Sequence, residues 1–329
     1  MKKAVLSLLL IFITISFVVI PHATADIGTV AVVIYDDDPP TIEYMFVLSD
    51  TGDTSHVECG TQILPEPGTG NNDALAYFNC YAVVSDPNSV ENIQQVYEKL
   101  LDNNDNQVLS EMIAVDITDT PEQSNALTEA LESNLITQPD YDDMTTKLKK
   151  QAKMFRIENY LTNHDKPGDY KVCFKVIGKE NVYSENVYIE NYTNFEYKSI
   201  EILGLDFNSI SYGKITTNEQ KKVYGDNDFD PAGDSTFPTV KNQGNIEFRI
   251  NISATDMIGE NDPTHIIPAS ALSVEFLGLS VSLDSGLNSG VTLDRYLMPG
   301  IPTKINFGVT APYETPNDIY IGQLIIVSC

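Results

Sequence analysis

The residues whose types and spacing suit chemistry best are acidic. Gly225-Asp226-Asn227-Asp228-Phe229-Asp230-Pro231-Ala232-Gly233-Asp234 places carboxylates at alternate positions, with one more at its end. Extended or looped backbone would turn such oxygens toward one point, which suits Ca²⁺ and its roughly six to eight oxygen ligands. The glycine is misplaced for a helix–loop–helix calcium loop, and no Glu stands at the twelfth position. Asp226, Asp228, Asp230 and Asp234 are therefore candidate Ca²⁺ ligands, with a solvated acidic loop as the alternative. Calcium is the only cofactor the sequence suggests. Asp36-Asp37-Asp38 beside Asp86 is a weaker candidate, and Asp102–Asn106 reads as a polar hairpin turn.

Catalytic constellations are missing from the pattern. His56, His164 and His265 lack the spacing of a zinc helix, and His56-Val57-Glu58-Cys59 is an isolated pair. The chain carries no nucleophile elbow, phosphate loop or dinucleotide fingerprint. Acidic pairs are scattered without the placement that glycoside hydrolysis needs. The expectation is a protein that is not an enzyme and has no catalytic residues. Asn191-Tyr192-Thr193 and Asn251-Ile252-Ser253 are glycosylation sequons, a pattern that also arises by chance. Asn251 falls on the outward parity of its strand.

Charge narrows the partners. The chain has 329 residues, 47 Asp and Glu against 20 Lys and Arg, and a net charge of −27. Such a chain repels phosphate backbones, so nucleic acid is excluded as a partner. A hydrophobic share of 42% is too high for a disordered acidic polymer.

The elements that must position these groups begin after an export signal. Met1-Lys2-Lys3 is followed by an apolar run to Ile20 and by Ala23-Thr24-Ala25, so residues 1–25 read as a cleaved secretory signal peptide. An N-terminal membrane anchor is the alternative. No later run is long enough to span a membrane. Removal of Lys2 and Lys3 leaves −29, of which −20 lies in residues 26–198 and −9 in residues 199–329.

Residues 26–36 contain Ile27-Gly28-Thr29-Val30-Ala31-Val32-Val33-Ile34-Tyr35, a β-branched run at the new N-terminus. It is either the first strand of its own sheet or an assembly strand donated to a neighbouring subunit through Ile27, Val30, Val32 and Ile34. Period-two alternation then recurs at Phe78–Val84, Tyr170–Val176, Ile246–Ala254 and Ile305–Val309, with Asn181–Glu190 as another strand. Thr120-Pro121 starts a helix, and a second runs over Tyr141–Ala152, so residues 118–152 form a helical insertion. It would cover a sheet edge or form a subunit contact. The fold class is all-β: one sandwich over 37–195 carrying the insertion, then a second over 196–329 of roughly seven to nine strands.

The run Phe237-Pro238-Thr239-Val240-Lys241-Asn242-Gln243-Gly244-Asn245-Ile246, continued by Asn251–Met257, Ile267–Leu272, Ile305–Val309 and Tyr320-Ile321-Gly322, resembles a module of secreted archaeal surface proteins. That module is similar to the jelly-roll subunits of biofilm fibres and bundling pili, the camelysin/TasA-like group. Val83–Asn88 and Gly168–Val172 resemble Ig-like or PKD-like modules, which precede it in filament and sheath proteins. The resemblance covers about two thirds of the chain after the signal peptide. It implies an Ig-like then jelly-roll-like architecture. It also implies a homopolymer, with other surface-layer proteins as further partners, in which the N-terminal strand completes a neighbour's sandwich. The helical insertion belongs to neither pattern.

Cys59, Cys80, Cys173 and Cys329 remain after the signal peptide. The Ig-like resemblance would pair Cys80 with Cys173. Alternation, however, puts Cys80 on the apolar face and Cys173 among lysines facing out. Cys59–Cys80 is therefore the expected pair, leaving Cys173 and Cys329 for an intersubunit link, with free thiols as the alternative. The resulting expectation is a secreted structural subunit of an extracellular filament, sheath or surface layer. Its rival is a monomeric Ca²⁺-dependent adhesin or glycan-binding module, which exposed aromatics on one sheet face would favour.

Overall fold

A computed structural model describes residues 38–49, 61–66, 75–178, 188–283 and 290–329. The signal peptide, Ile27–Tyr35 with Ile27, Val30, Val32 and Ile34, the pair Asp36-Asp37, His56 and Cys59 lie outside the described residues. Residues 38–329 form one compact unit.

In its first half the chain runs β1 (Thr41–Ser49), β2 (Thr61–Ile63), β3 (Leu75–Ser85), β4 (Ile93–Leu101), β5 (Gln107–Ile113), β6 (Val115–Asp116), α1 (Pro121–Glu132), α2 (Gln138–Leu148), β7 (Ala152–Thr162), β8 (Gly168–Gly178) and β9 (Tyr188–Tyr197). Two sheets result, ordered β1-β3-β7-β6 and β2-β9-β8-β4-β5. Their inner faces bury Phe78, Ala82, Ile157, Leu161, Val172, Phe174, Phe195 and others in one core. Each comes from an alternate position, as period two requires.

The helical insertion is present and packs on a sheet face rather than an edge. Phe46, Leu48, Tyr81, Val83 and Met154 project from the outer face of the first sheet against Ala126, Leu127, Ala130, Met144 and Leu148. The Thr120 hydroxyl caps α1 by accepting the Gln123 N–H, with Pro121 in the first turn. The second helix begins three residues earlier than its apolar spacing suggests. Thr137 and Asp140 form a capping box that fixes the start at Gln138. It ends at Leu148, because Ala152 already belongs to β7.

Of the strand expected at Asn181–Glu190, residues 181–187 lie outside the described residues; from Tyr188 the chain is in β9, which pairs with β8 from Gly168↔Tyr197 to Ile177↔Tyr188. The Asp102–Asn106 turn is borne out. Asp102 N–H donates to Asn106 C=O at 2.9 Å and Asp105 takes a positive φ of 61°.

Beyond Tyr197 the chain runs β10 (Leu203–Leu205), β11 (Gln220–Val223), β12 (Thr239–Asn242), β13 (Phe248–Ala254), β14 (Met257–Gly259), β15 (Ile266–Ile267), β16 (Leu272–Phe276), β17 (Leu279–Ser282), β18 (Val291–Leu297), β19 (Pro302–Thr310), β20 (Tyr320–Ile321) and β21 (Leu324–Ser328). One sheet is ordered β10-β12-β19-β16-β17, with β11 also on β19; two three-stranded sheets are ordered β18-β13-β21 and β15-β14-β20. A second core, with Ile250, Ile252, Val274, Phe276, Leu293, Ile305 and Val309, lies inside. The all-β expectation holds.

The motif Asn242-Gln243-Gly244-Asn245 has a local physical role. Asn245 accepts the Ile200 N–H and donates to the Lys198 carbonyl, both at 2.8 Å, clamping the chain that leaves β9. Asn242 donates to the carbonyls of Ile246 and Leu297 at 2.7 and 3.0 Å. Any Cβ on Gly244 would stand 2.2 Å from the Ile200 carbonyl, so only glycine fits there.

Candidate functional site

The four aspartates of the acidic loop do not converge. Asp226 accepts the Asp228 N–H and the Thr239 hydroxyl, each at 3.0 Å. Asp230 accepts the Ala232 N–H at 2.9 Å. Asp228 and Asp234 are exposed. Among the described residues no three His, Cys, Asp or Glu side chains are grouped as a metal ion would need. The alternation expected to gather the oxygens instead lets single carboxylates close separate turns. The organising residue is one the sequence reading passed over. Asp206 is fully buried and accepts the N–H groups of Thr239 and Asp230 at 2.7 and 3.3 Å. Burial raises its carboxyl above the usual value, against the pull of those bonds.

The cysteines depart from expectation. Cys80 is buried with a free thiol, and its expected partner Cys59 lies outside the described residues. Cys173 occupies the outer parity of β8, as expected, yet it is buried too. Its register neighbours are Lys99 on β4 and Tyr192 on β9, and Lys99 reaches Glu190 at 3.5 Å. These long side chains cover the thiol, so in this fold Cys173 is not an accessible linking residue. Burial raises its pKa, with Lys99 acting in opposition. Cys329 is exposed, beside Arg249, and the two exchange backbone hydrogen bonds of 2.9 and 3.1 Å. Of the sequon asparagines, Asn191 is exposed. Asn251 points outward but donates to the Thr292 hydroxyl at 3.1 Å.

A buried polar cluster sits inside the first core. Glu98, Asn159 and Cys80 all occupy inward positions at no more than 2% exposure. The Asn159 amide nitrogen donates to both Glu98 oxygens, at 2.9 and 3.1 Å, and to Cys80 Sγ at 3.3 Å. Asn159 Oδ1 has no partner. Burial, only partly offset by the Asn159 bond, pushes the Glu98 carboxyl up to about 7.

Exposed aromatics meet on one sheet face, the feature that would favour the glycan-binding rival. Tyr77 and Tyr160 are register partners on β3 and β7, each half exposed, with ring centroids 6.2 Å apart.

Among the described residues, exposed apolar groups gather along the second sandwich's last strands. Ile319 and Ile321, then Ile325 and Val327, alternate on either side of Gln323, with exposures from 38% at Ile325 to 62% at Ile321. Ile258 pairs with Ile266 on one side and Ile321 on the other, so three isoleucines form a row across three strands. Ile258 and Ile266 are half exposed. On a chain of net charge −27 these exposed apolar residues stand out from a charged surface.

No family model matches the chain, and a search of curated proteins finds no match. Among solved structures, the chaperone–tip adhesin complex of CFA/I fimbriae biogenesis is similar at 10% identity, over 86% of this chain and 83% of that one, with a TM-score of 0.28. The CsuC–CsuE chaperone–tip adhesion subunit complex of Acinetobacter baumannii Csu pili is similar at 10% identity, 82% and 96% coverage and a TM-score of 0.28. The C-terminal domain of the Streptococcus agalactiae polypeptide BspA is similar at 8% identity, 88% and 100% coverage and a TM-score of 0.22. At these scores the likenesses assign no function to this chain. No helix of the described residues is long and apolar enough to cross a membrane.

Proposed function

We propose that this chain is a secreted structural subunit of a cell-surface filament, sheath or layer. Its copies join by β pairing, with Ile27–Tyr35 donated from one subunit to the next. The observation that carries the reading is the set of exposed apolar residues Ile319, Ile321, Ile325 and Val327 along the last two strands of a strongly acidic protein. Exposed apolar surface gathered on one side is what a protein–protein contact leaves when the partner is absent. The donated run is rich in β-branched residues, which suit a strand added to a sheet edge.

Sedimentation of the secreted chain and of a variant lacking residues 26–36 tests this. High-molecular-weight material from the first and folded monomers from the second are expected. Polymers that persist unchanged in the deletion variant overturn strand donation.

One observation favours a second reading, a glycan-binding surface protein. The Tyr77–Tyr160 pair gives two half-exposed rings side by side, and such rings stack on apolar faces of sugars while their hydroxyls bond at the edge. Saturable polysaccharide binding by the monomeric deletion variant, lost in Tyr77→Ala, would support it.

A further inference from the structure

We infer that the acceptor for the donated strand is the free edge of β21, and that its occupant is Ile27–Tyr35 of a second copy. This rests on the strand-donation reading above and adds the place.

The backbone parity of β21 carries the argument. Arg249 and Cys329 exchange both backbone hydrogen bonds, and Thr255 N–H donates to Gln323 C=O at 2.9 Å. Antiparallel ladders repeat such pairs at every second residue, and the register Asn251↔Val327 and Ser253↔Ile325 fills the interval. Residues 323, 325, 327 and 329 thus turn their backbone groups inward to β13. Leu324, Ile326 and Ser328 turn theirs away from it. β21 is the outer strand of its sheet, ordered β18-β13-β21. Among the described residues no hydrogen bond closes that outer row. An open row of this kind is a template for another strand.

Side chains prepare the same edge on both faces. Leu324 and Ile326 pack partly into the second core. Ile325 and Val327 stand exposed on the other face. β21 presents five residues, Leu324–Ser328, and the nine of Ile27–Tyr35 are enough to cover them all. A strand added to this edge gains backbone hydrogen bonds as well as apolar contact.

Rival edges are less suited. β18, the opposite edge of the same sheet, exposes Thr292, Asp294, Arg295 and Tyr296. β5 exposes Gln107, Ser110 and Glu111 beside Ile113. β17 alternates Leu and Val with serines, and β2 and β10 are three residues long. Charged and short edges are those that resist pairing.

The test uses the full secreted chain and Ile326→Pro. The Ile326 N–H faces outward, so proline removes a bond to the incoming strand and leaves the β13 ladder in place. Expected is loss of sedimenting polymer with the unfolding midpoint of the monomer retained. Amide exchange gives a readout that does not depend on that variant folding. In wild-type assemblies the Leu324, Ile326 and Ser328 amides should exchange roughly a hundredfold more slowly than in the variant lacking residues 26–36. Polymers from Ile326→Pro, or no added protection at these amides, overturn the location while monomers from the deletion variant keep strand donation. Polymers from the deletion variant overturn both. Protection of the three amides in a wild-type monomer would show that the segment folds back on its own subunit, and overturns the second copy as occupant.

Discussion

The Glu98 carboxylate and the Asn159 side-chain amide face each other inside the first sandwich, at N···O distances of 2.9 and 3.1 Å with no cation bonded to the acid. Ionised, the pair leaves Asn159 Oδ1 without a donor. Protonated, Glu98 gains an O–H, the donor that the bare carbonyl lacks.

The pH dependence follows in sign. Glu98 has a folded value of about 7 against 4.5 for the free acid. A raised folded value stabilises the fold fully below the free value, and that stability is lost as pH climbs from 4.5 to 7. The loss is about 3 kcal/mol. Urea unfolding at pH 5 and pH 8 should show the wild type weaker at pH 8, and Glu98→Gln more stable there by about 2 kcal/mol. Equal wild-type stability at both pH values would contradict the neutral acid.

Gly225 should tolerate no side chain. A Cβ there would stand 2.0 Å from the Pro238 carbonyl and 2.6 Å from that of Ile305. Gly225→Ala is expected to cost about 3 kcal/mol, because backbone rather than a flexible side chain must move. Chemical denaturation reads this directly, and a change below about 0.5 kcal/mol would refute the packing.

The helical insertion should be integral to the first sandwich. Met144 is fully buried between α2 and the outer face of the first sheet. Met144→Ala is expected to lower stability by about 3 kcal/mol through a cavity, with early loss of helical circular dichroism. A neutral effect would mean that the helices are only loosely attached.

Thiol reactivity should separate the described cysteines. Cys329 is exposed, whereas Cys80 and Cys173 are buried with raised pKa values. Under native conditions a thiol reagent should modify Cys329 at once and the other two only on unfolding. Cys329→Ser should remove its share of the fast phase. Fast reaction at Cys173 would show that the Lys99 and Tyr192 cover is open.

Period two made the sheets legible, because Phe78, Val172 and Ile250 each sit in strict alternation with outward residues. Thr120-Pro121 likewise marked a helix start through local capping chemistry alone. The capping box at Thr137–Asp140 lay three residues ahead of the apolar spacing and so shifted the second helix. Cys173 followed its parity but not its exposure, since cover from Lys99 and Tyr192 depends on neighbouring strands far away in sequence. The aspartate loop failed as a converged set because alternate spacing fixes direction only in a regular strand, and this segment is a series of turns. Glu98 was readable and missed: it stands at the inward parity between Val96 and Leu100. The free edge of β21 required sheet order, which no single strand encodes.

Capture of the isolated strand tests strand donation most directly. The variant lacking residues 26–36 is titrated with a peptide of residues 26–36, and backbone amide exchange is followed. Saturable binding of one peptide per chain, with slowed exchange at Leu324, Ile326 and Ser328, is the predicted result. No binding at all, in a chain that still polymerises without the segment, would contradict it.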